Sequence, residues 1–182
     1  GSLVWIFLLV GVLAVGTANV DAGRSDAEAR AAAVFANAIG LMQYYDDCTF
    51  SLDQAYLFEA VKRTQPVLYS LVRERVSQGR IETMGGWCAQ DGAAASGETL
   101  VRSIVMGKRF CARELGQDVN VMRIHAGEAV PAQLPQILAL TGIHYALCDG
   151  GGNSCFWWQG LGGARVLTHT TENASDTDKA LP

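Results

Sequence analysis

Cysteine and histidine, the side chains that most often act as nucleophiles, bases or metal ligands, are scattered along this sequence. Its five cysteines have irregular spacing, and no pair shows the Cys-x-x-Cys spacing of zinc and redox sites. Cys148 and Cys155 flank a glycine-rich turn, which leaves a disulfide between them as an alternative. We predict unpaired, partly buried thiols, and therefore a reducing intracellular or organellar compartment. The cysteines are Cys48, Cys88, Cys111, Cys148 and Cys155.

Two histidines and two tryptophans are further candidates for a site. No cluster of ligand residues surrounds His144 or His169 in the sequence, so we predict that both are packed or capping histidines. Trp157 and Trp158 are consecutive in a predicted strand, where alternation directs one side chain to the core and the other outward. The outward ring would either anchor a protein interface or stack on a sugar.

Composition limits the classes of protein to which the chain can belong. Hydrophobic residues make up 49% of its 182 residues and only 4 residues are proline, which excludes a disordered or collagen-like chain. The 14 basic and 18 acidic residues give a net charge of −4, and the basic residues form no run. We therefore expect no nucleic-acid partner.

Residues 1–20 carry no charge and form an apolar N-terminal segment. As a helix, the apolar run from Leu3 to Val15 would be about 20 Å long, shorter than the roughly 30 Å hydrocarbon core of a bilayer. We predict the first strand of a parallel sheet, and a membrane or signal helix over residues 3–20 is the alternative. The rest of the chain divides into an α/β domain, 21–170, and a polar tail, 171–182.

The hydrophobic periodicity predicts alternating helices and strands after residue 20. Ser51–Gln54 has the form of a capping box, and Ser96 is a predicted N-cap. Alternation of this kind predicts an α/β fold with a mainly parallel sheet. The predicted helices cover 24–45, 51–61, 66–79, 96–116 and 134–140, and the predicted strands cover 81–84, 119–124, 143–147, 155–158 and 164–169.

The helix that follows Ser96 gives two more specific predictions. Arg102 and Glu98 are one helical turn apart and are expected to form an ion pair, with a ligand-holding role for Arg102 as the alternative. The residues expected to face the core are Leu100, Val101, Ile104 and Val105.

Three ordered segments resemble a known family: GGWCAQDGAAASGETLVRS at 85–103, AQLPQILALTGIHYAL at 132–147 and FWWQGLGGARVLTH at 156–169. They are similar to the catalytic α/β domain of the family-38 α-mannosidases, especially the cytosolic and vacuolar branch. The resemblance implies a partial (β/α) barrel-like domain with a mainly parallel sheet. It also implies retaining hydrolysis of α-mannosides at a zinc ion, where one carboxyl group attacks the sugar and another protonates the leaving oxygen.

The residues that would inherit the family's catalytic roles are mostly of the wrong type. The aspartate that serves as nucleophile and zinc ligand falls on Ala126, which can do neither. His125 and Glu128 lie close to this position and leave a rearranged site as an alternative. The chain also ends before the regions in which the family has its acid/base residue and last zinc ligand. The other mismatches are Val15–Thr17 or Asn19–Asp21 for the His-x-Asp zinc pair, Ala89 for a glutamate and Gly162 for an aspartate.

We therefore predict a pseudoenzyme with no catalytic residue, no metal ion and no cofactor. Trp87, Asp91 and Trp158 are candidates for sugar contacts, although a small-molecule ligand is not expected. The predicted function is a structural or accessory subunit, because a partial barrel leaves apolar edges and faces for other protein subunits to cover. Residues 3–20 would place such a complex at a membrane if they form a helix. The alternatives are a fragment of an active zinc-dependent α-mannosidase and a carbohydrate-binding remnant.

Overall fold

The computed structural model describes residues 20–88, 96–125 and 130–171. Except for Val20, where the first helix begins, the apolar segment 3–20 lies outside these residues, and so does the tail after Thr171. The alternatives of a strand and a membrane helix for that segment therefore both remain. Within the described ranges, no helix has the length and apolar character needed to span a bilayer.

The chain divides into two compact units, Gly1–Leu52 with Tyr56–Glu82, and Asp53–Ala55 with Thr83–Pro182. Helices and strands alternate through the described residues, which confirms the predicted α/β class. The helices are α1 (Val20–Tyr44), α2 (Ala55–Thr64), α3 (Pro66–Ser77), α4 (Gly97–Phe110, continued by the π-helical turn Cys111–Leu115) and α5 (Leu134–Leu140). The strands are β1 (Phe50–Gln54), β2 (Ile81–Gly86), β3 (Val121–Ile124), β4 (Tyr145–Asp149), β5 (Ser154–Gln159) and β6 (Arg165–Thr171).

The capping box predicted at Ser51–Gln54 is wrong. These residues belong to β1, which pairs with β2 in a two-stranded sheet, and α2 begins only at Ala55. Strand pairing and burial decide the conformation here. The main-chain N–H of Phe50 donates to the carbonyl oxygen of Arg80 at 2.9 Å, and the buried Phe50 ring lies 6.0 Å from that of Phe35. These tertiary contacts outweigh a local capping signal.

The second unit contains a four-stranded sheet with the strand order β3-β4-β6-β5. β3, β4 and β6 are parallel, and β5 is antiparallel to β6. The sheet is therefore mainly parallel, as predicted. Because β3 and β4 run in the same direction, residues at their carboxyl ends meet at one edge of the sheet.

The two faces of this sheet differ in burial, because successive residues of a strand point to opposite faces. On one face, Ala146, Val166 and Thr168 are almost completely buried, and α5 packs on β6. On the other face, which we call the open face, Tyr145 is 46% exposed and Trp157 is 61% exposed. An apolar row crosses the open face in register: Val121, Tyr145, Leu167 and Trp157.

Two local predictions for α4 are confirmed. The hydroxyl oxygen of Ser96 accepts a hydrogen bond from the main-chain N–H of Thr99 at 3.2 Å, so Ser96 is the N-cap. Arg102 donates to the Glu98 carboxylate at 2.7 Å. Both side chains of this ion pair are about three-quarters exposed, so it contributes little to stability.

The buried stripe of α4 differs from the predicted one at two positions. Leu100 and Ile104 are buried as expected, whereas Val105 is only half-buried and Val101 is 37% exposed. The difference arises because Ser103 and Gly107 are buried on α4 instead. Small side chains at these positions allow α4 to approach its neighbour closely, which turns Val101 toward the solvent.

The neighbour that α4 approaches is the end of β2. An ideal Cβ on Gly107 would lie 2.5 Å from the carbonyl carbon of Gly86 and 2.9 Å from the main-chain nitrogen of Trp87. That nitrogen donates to the carbonyl oxygen of Ser103 at 2.9 Å. No side chain fits between main-chain atoms at these distances, so Gly107 is required for this contact.

We predict that Gly107→Ala lowers the free energy of unfolding by about 1–3 kcal/mol, because the added methyl group forces α4 away from β2. Urea unfolding followed by circular dichroism measures this change. Gly97→Ala on the same helix is the matched control, since its nearest neighbour is a side-chain atom 4.0 Å away. Equal stability of the two variants would contradict the close packing of α4 on β2.

Candidate functional site

Of the residues predicted to contact a sugar, the two described tryptophans lie in different environments. Trp87 follows β2, and its ring packs edge-on against Phe110 with 5.7 Å between centroids. Trp158 lies in β5 and is half-buried, whereas Trp157 is exposed. The predicted alternation is therefore confirmed, and Trp157 is the outward ring.

Several positions singled out from the family resemblance lie outside the described residues. The segments concerned are 89–95, before α4, and 126–129, after β3. Their roles stay predictions from the sequence. The positions are Ala89, Asp91, Ala126 and Glu128.

The prediction that His144 and His169 are packed or capping is wrong, because both side chains are exposed. His169 stands opposite Leu147 in the register of β6 and β4, on the open face. His144 immediately precedes β4.

Four charged side chains meet at the carboxyl ends of strands in the second unit, and we call them the charged cluster: Asp53, Arg123, His125 and Asp149. His125 is its centre. Its Nε2 atom lies 2.6 Å from a carboxylate oxygen of Asp53, and its Nδ1 atom lies 3.1 Å from a carboxylate oxygen of Asp149. The imidazole ring thus bridges two carboxylates.

Arg123 completes the cluster from the same side of β3. Its Nε atom donates to both carboxylate oxygens of Asp149, at 3.2 and 3.1 Å, and its Nη2 atom donates to one of them at 3.0 Å. The exposed fraction of the side chain is only 10% for Arg123 and 14% for Asp149. This is a largely buried, multiply bonded ion pair, unlike the exposed pair of Arg102 and Glu98.

The strands position these side chains for simple geometric reasons. Arg123 and Asp149 lie on adjacent parallel strands, near the end of β3 and at the end of β4, and His125 directly follows β3. Asp53 is near the end of β1. The carboxyl ends of parallel strands are where α/β proteins usually bind ligands.

The sequence indicated part of this cluster. Two consecutive predicted strands each end near ionisable residues. These are Arg123 and His125 at the first strand and Asp149 at the second, and this pattern was the available signal. Asp53 was missed because Ser51–Gln54 was predicted to cap a helix. The strand β1, which is stabilised by pairing rather than by local pattern, is what places Asp53 beside His125.

The zinc ion that the family resemblance implies was tested against this geometry. Among residues 20–88, 96–125 and 130–171, no three histidine, cysteine or acidic side chains converge so as to hold a metal ion. In the charged cluster, both ring nitrogens of His125 face carboxylate oxygens, and the Asp149 carboxylate is bonded to Arg123. Because each ring nitrogen already contacts a carboxylate oxygen and Asp149 is bonded to Arg123, zinc does not fit the charged cluster as it stands.

All five cysteines have free thiols, which confirms that they are unpaired. Cys148 is half-buried as predicted, whereas Cys155 is exposed because it lies on the open face of the edge strand β5. Burial raises the pKa of the Cys148 thiol above its usual range, and the negative charge of the neighbouring Asp149 raises it further. The pKa of the Cys148 thiol therefore depends on the charge of Asp149.

Comparisons with known sequences identify one family. The profile of the family described as "Glycosyl hydrolases family 38 N-terminal domain" matches residues 19–179. Alpha-mannosidase G of Dictyostelium discoideum is 30% identical over 171 residues, which covers 87% of this chain and 16% of that protein. Human alpha-mannosidase 2C1 is 33% identical over 141 residues, which covers 72% of this chain and 14% of that protein. The chain thus spans about a sixth or less of the length of these relatives.

Solved structures show the same fold at lower identity. An alpha-mannosidase from Enterococcus faecalis V583 superposes with a TM-score of 0.70 and 19% identity, over 80% of this chain and 18% of that one. A 4-alpha-glucanotransferase from Thermococcus litoralis gives the same TM-score and identity, over 90% of this chain and 27% of that one. At this identity, the similarity establishes the fold and not the reaction.

We predict that Arg123→Ala lowers the free energy of unfolding by about 3–5 kcal/mol, because it leaves the Asp149 carboxylate buried without its main partner. Arg102→Ala, which removes an exposed Arg–carboxylate pair, is the matched control and should change stability by no more than about 0.5 kcal/mol. Urea unfolding of the two variants measures both values. If the two variants lose the same stability, the charged cluster is not a buried ion pair.

We also predict that Asp149→Asn lowers the pKa of Cys148, because a negative charge next to the thiolate is removed. At pH 8, more of the thiol is then ionised, and alkylation by iodoacetamide speeds up several-fold. Peptide mass spectrometry follows each cysteine separately, and Cys48 of the first unit serves as the internal control. An unchanged Cys148 rate with unchanged Cys48 would show that Asp149 does not act on this thiol.

Proposed function

This chain belongs to glycosyl hydrolase family 38, as a member of the family's N-terminal domain, and from that premise we propose that it is a non-catalytic α-mannosidase-like module. In this proposal it binds no zinc and acts as a structural subunit that packs against another polypeptide in a larger assembly. The relatives are α-mannosidases by name. Because the chain spans only 14–16% of their length, their activity is a separate proposal, addressed by the hydrolysis experiment below.

The observation that carries the proposal is the open face of the four-stranded sheet. Tyr145 and Trp157 are 46% and 61% exposed on it, and Leu167 lies between them in register. Contiguous apolar side chains on one face of a sheet lower their free energy when another surface removes them from water. Tyrosine and tryptophan are also the residues most enriched among the anchors of protein interfaces.

The edge strand β5 supports the same function. It pairs with β6 on one side, and five of its six residues are exposed. The main-chain groups along its other side are available for pairing with a further strand. Phe156, which is 45% exposed, adds apolar surface beside this edge. Another polypeptide that adds a strand here would also reach the open face.

The charged cluster supports the absence of hydrolysis. A retaining glycosidase needs one carboxyl group to attack the anomeric carbon and a second to protonate the leaving oxygen. The two described carboxylates at the carboxyl edge of the strands, Asp53 and Asp149, are held by His125 and Arg123. The Asp149 carboxylate, whose two oxygens both accept hydrogen bonds from Arg123, is therefore a poor nucleophile and a poor acid.

A carbohydrate-binding remnant is the second candidate, favoured by one observation. Exposed aromatic rings on a flat sheet surface also stack on sugars, and Tyr145 and Trp157 are two such rings. The two candidate functions assign different ligands to the open face: another polypeptide for the structural subunit, and a sugar for the carbohydrate-binding remnant. Titration calorimetry with mannose and α-mannobiose separates them, because the subunit proposal expects no heat of binding.

We predict that the double variant Tyr145→Ser with Trp157→Ser loses its partner. In size-exclusion chromatography of a lysate from the source cells, the wild-type chain should elute in a complex of defined stoichiometry and the double variant as a monomer. Leu161→Ser, at a position 78% exposed in the turn between β5 and β6, is the control and should remain in the complex. A monomeric wild-type chain would contradict the proposed role.

We further predict that the purified chain, incubated with zinc, does not hydrolyse an aryl α-mannoside above the rate in buffer. The physical reason is that Ala126 has no carboxylate to attack the sugar. A full-length family-38 α-mannosidase is the positive control for the assay. Turnover that disappears on chelation of zinc would establish the active-fragment alternative instead.

A further inference from the structure

We propose that His125 carries protons on both ring nitrogens at neutral pH, and that it acts as a cationic clasp between Asp53 and Asp149 that opens when one proton is lost. This inference is independent of the proposed function. It concerns a proton-controlled contact at the carboxyl ends of β1, β3 and β4, whether or not the chain has a partner or binds a sugar.

The first argument is the hydrogen-bonding capacity of imidazole. The two ring nitrogens lie 2.6 and 3.1 Å from carboxylate oxygens of Asp53 and Asp149. An ionised carboxylate only accepts hydrogen bonds, and neutral imidazole has a single N–H. In the neutral ring, one of these contacts would place a nitrogen lone pair against a carboxylate oxygen. Only the doubly protonated ring donates to both.

The second argument is charge balance in a site with little access to water. The exposed fraction of each side chain in the charged cluster is between 10% and 16%. Two carboxylates, one guanidinium and one imidazolium sum to zero charge. With a neutral ring, these four described side chains would carry a net charge of −1, which is costly where water has little access.

The same contacts identify the proton that leaves first. Asp149 is bonded to Arg123 at 3.0 to 3.2 Å and keeps this cation when His125 becomes neutral. The contact that the structure gives Asp53 within the charged cluster is the one to His125. The remaining proton therefore stays on Nε2, facing Asp53, and the contact between Nδ1 and Asp149 opens.

The groups that face His125 in the described residues are Asp53 from β1, Asp149 from β4 and Arg123 from β3, with the Cys148 thiol next to Asp149 along β4. Glu128 lies in the segment that follows and outside the described residues. The sign of the pH effect follows from these partners. A proton that is bound more tightly in the folded chain stabilises the fold at low and neutral pH, and this contribution is lost as the pH rises through the folded-state titration.

The test is a ¹⁵N NMR titration of the ring nitrogens in the full chain, with His125 assigned by its absence in His125→Gln. At pH 7 we expect both nitrogens to be protonated, and at higher pH we expect the proton to leave Nδ1. Asp53→Asn and Asp149→Asn should each lower the titration midpoint by about one pH unit or more, because each removes an opposite charge. Glu98→Gln, which removes an exposed carboxylate on α4, should shift the midpoint by a much smaller amount.

Two results would overturn the proposal: a ring with a single proton at pH 7 in the wild-type chain, or a midpoint that neither aspartate substitution lowers. Asp149→Asn leaves Arg123 without its partner and is the variant most prone to unfold. Asp53→Asn then carries the comparison, and the wild-type spectrum at pH 7 decides the protonation state without any variant. These readouts do not depend on mannoside hydrolysis or on a protein partner. Failure of this proposal can therefore be distinguished from failure of the proposed function.

Discussion

Charge neutrality at the carboxyl edge of the sheet is the constraint on which the described site depends. Asp53 and Asp149 bring two negative charges into a region where the side chains are at most 16% exposed. Arg123 and His125 supply the compensating cations through short contacts. Because buried charges are tolerated only when they are paired, each of these four residues restricts what the others can do.

This constraint links the fold to the chemistry. Parallel strands bring their carboxyl ends to one edge, which in many α/β enzymes leaves polar side chains available for substrate. In this chain, the polar side chains at that edge bind one another instead. Away from this cluster, the open face of the same sheet carries the apolar row that includes Tyr145, Leu167 and Trp157.

Individual residues show how far sequence pattern was sufficient. Ser96 and the ion pair of Arg102 with Glu98 were predicted correctly, because capping and one-turn pairing depend on neighbours within four residues. The burial of Val101 was predicted incorrectly, because its exposure depends on how closely α4 approaches β2. The strand at Phe50–Gln54 was also missed, since its conformation comes from pairing with a segment about 30 residues away in the chain.

The sequence by itself determined the α/β class, the order of most helices and strands, and membership of the family through three ordered motifs. These depend on local periodicity and on inherited segments, which a single chain displays directly. Only the tertiary structure decided that Asp53, 72 residues before His125, lies against its ring, and that Tyr145 and Trp157 are exposed on one sheet face. Such contacts depend on strand order and register, and no spacing in the sequence encodes them locally.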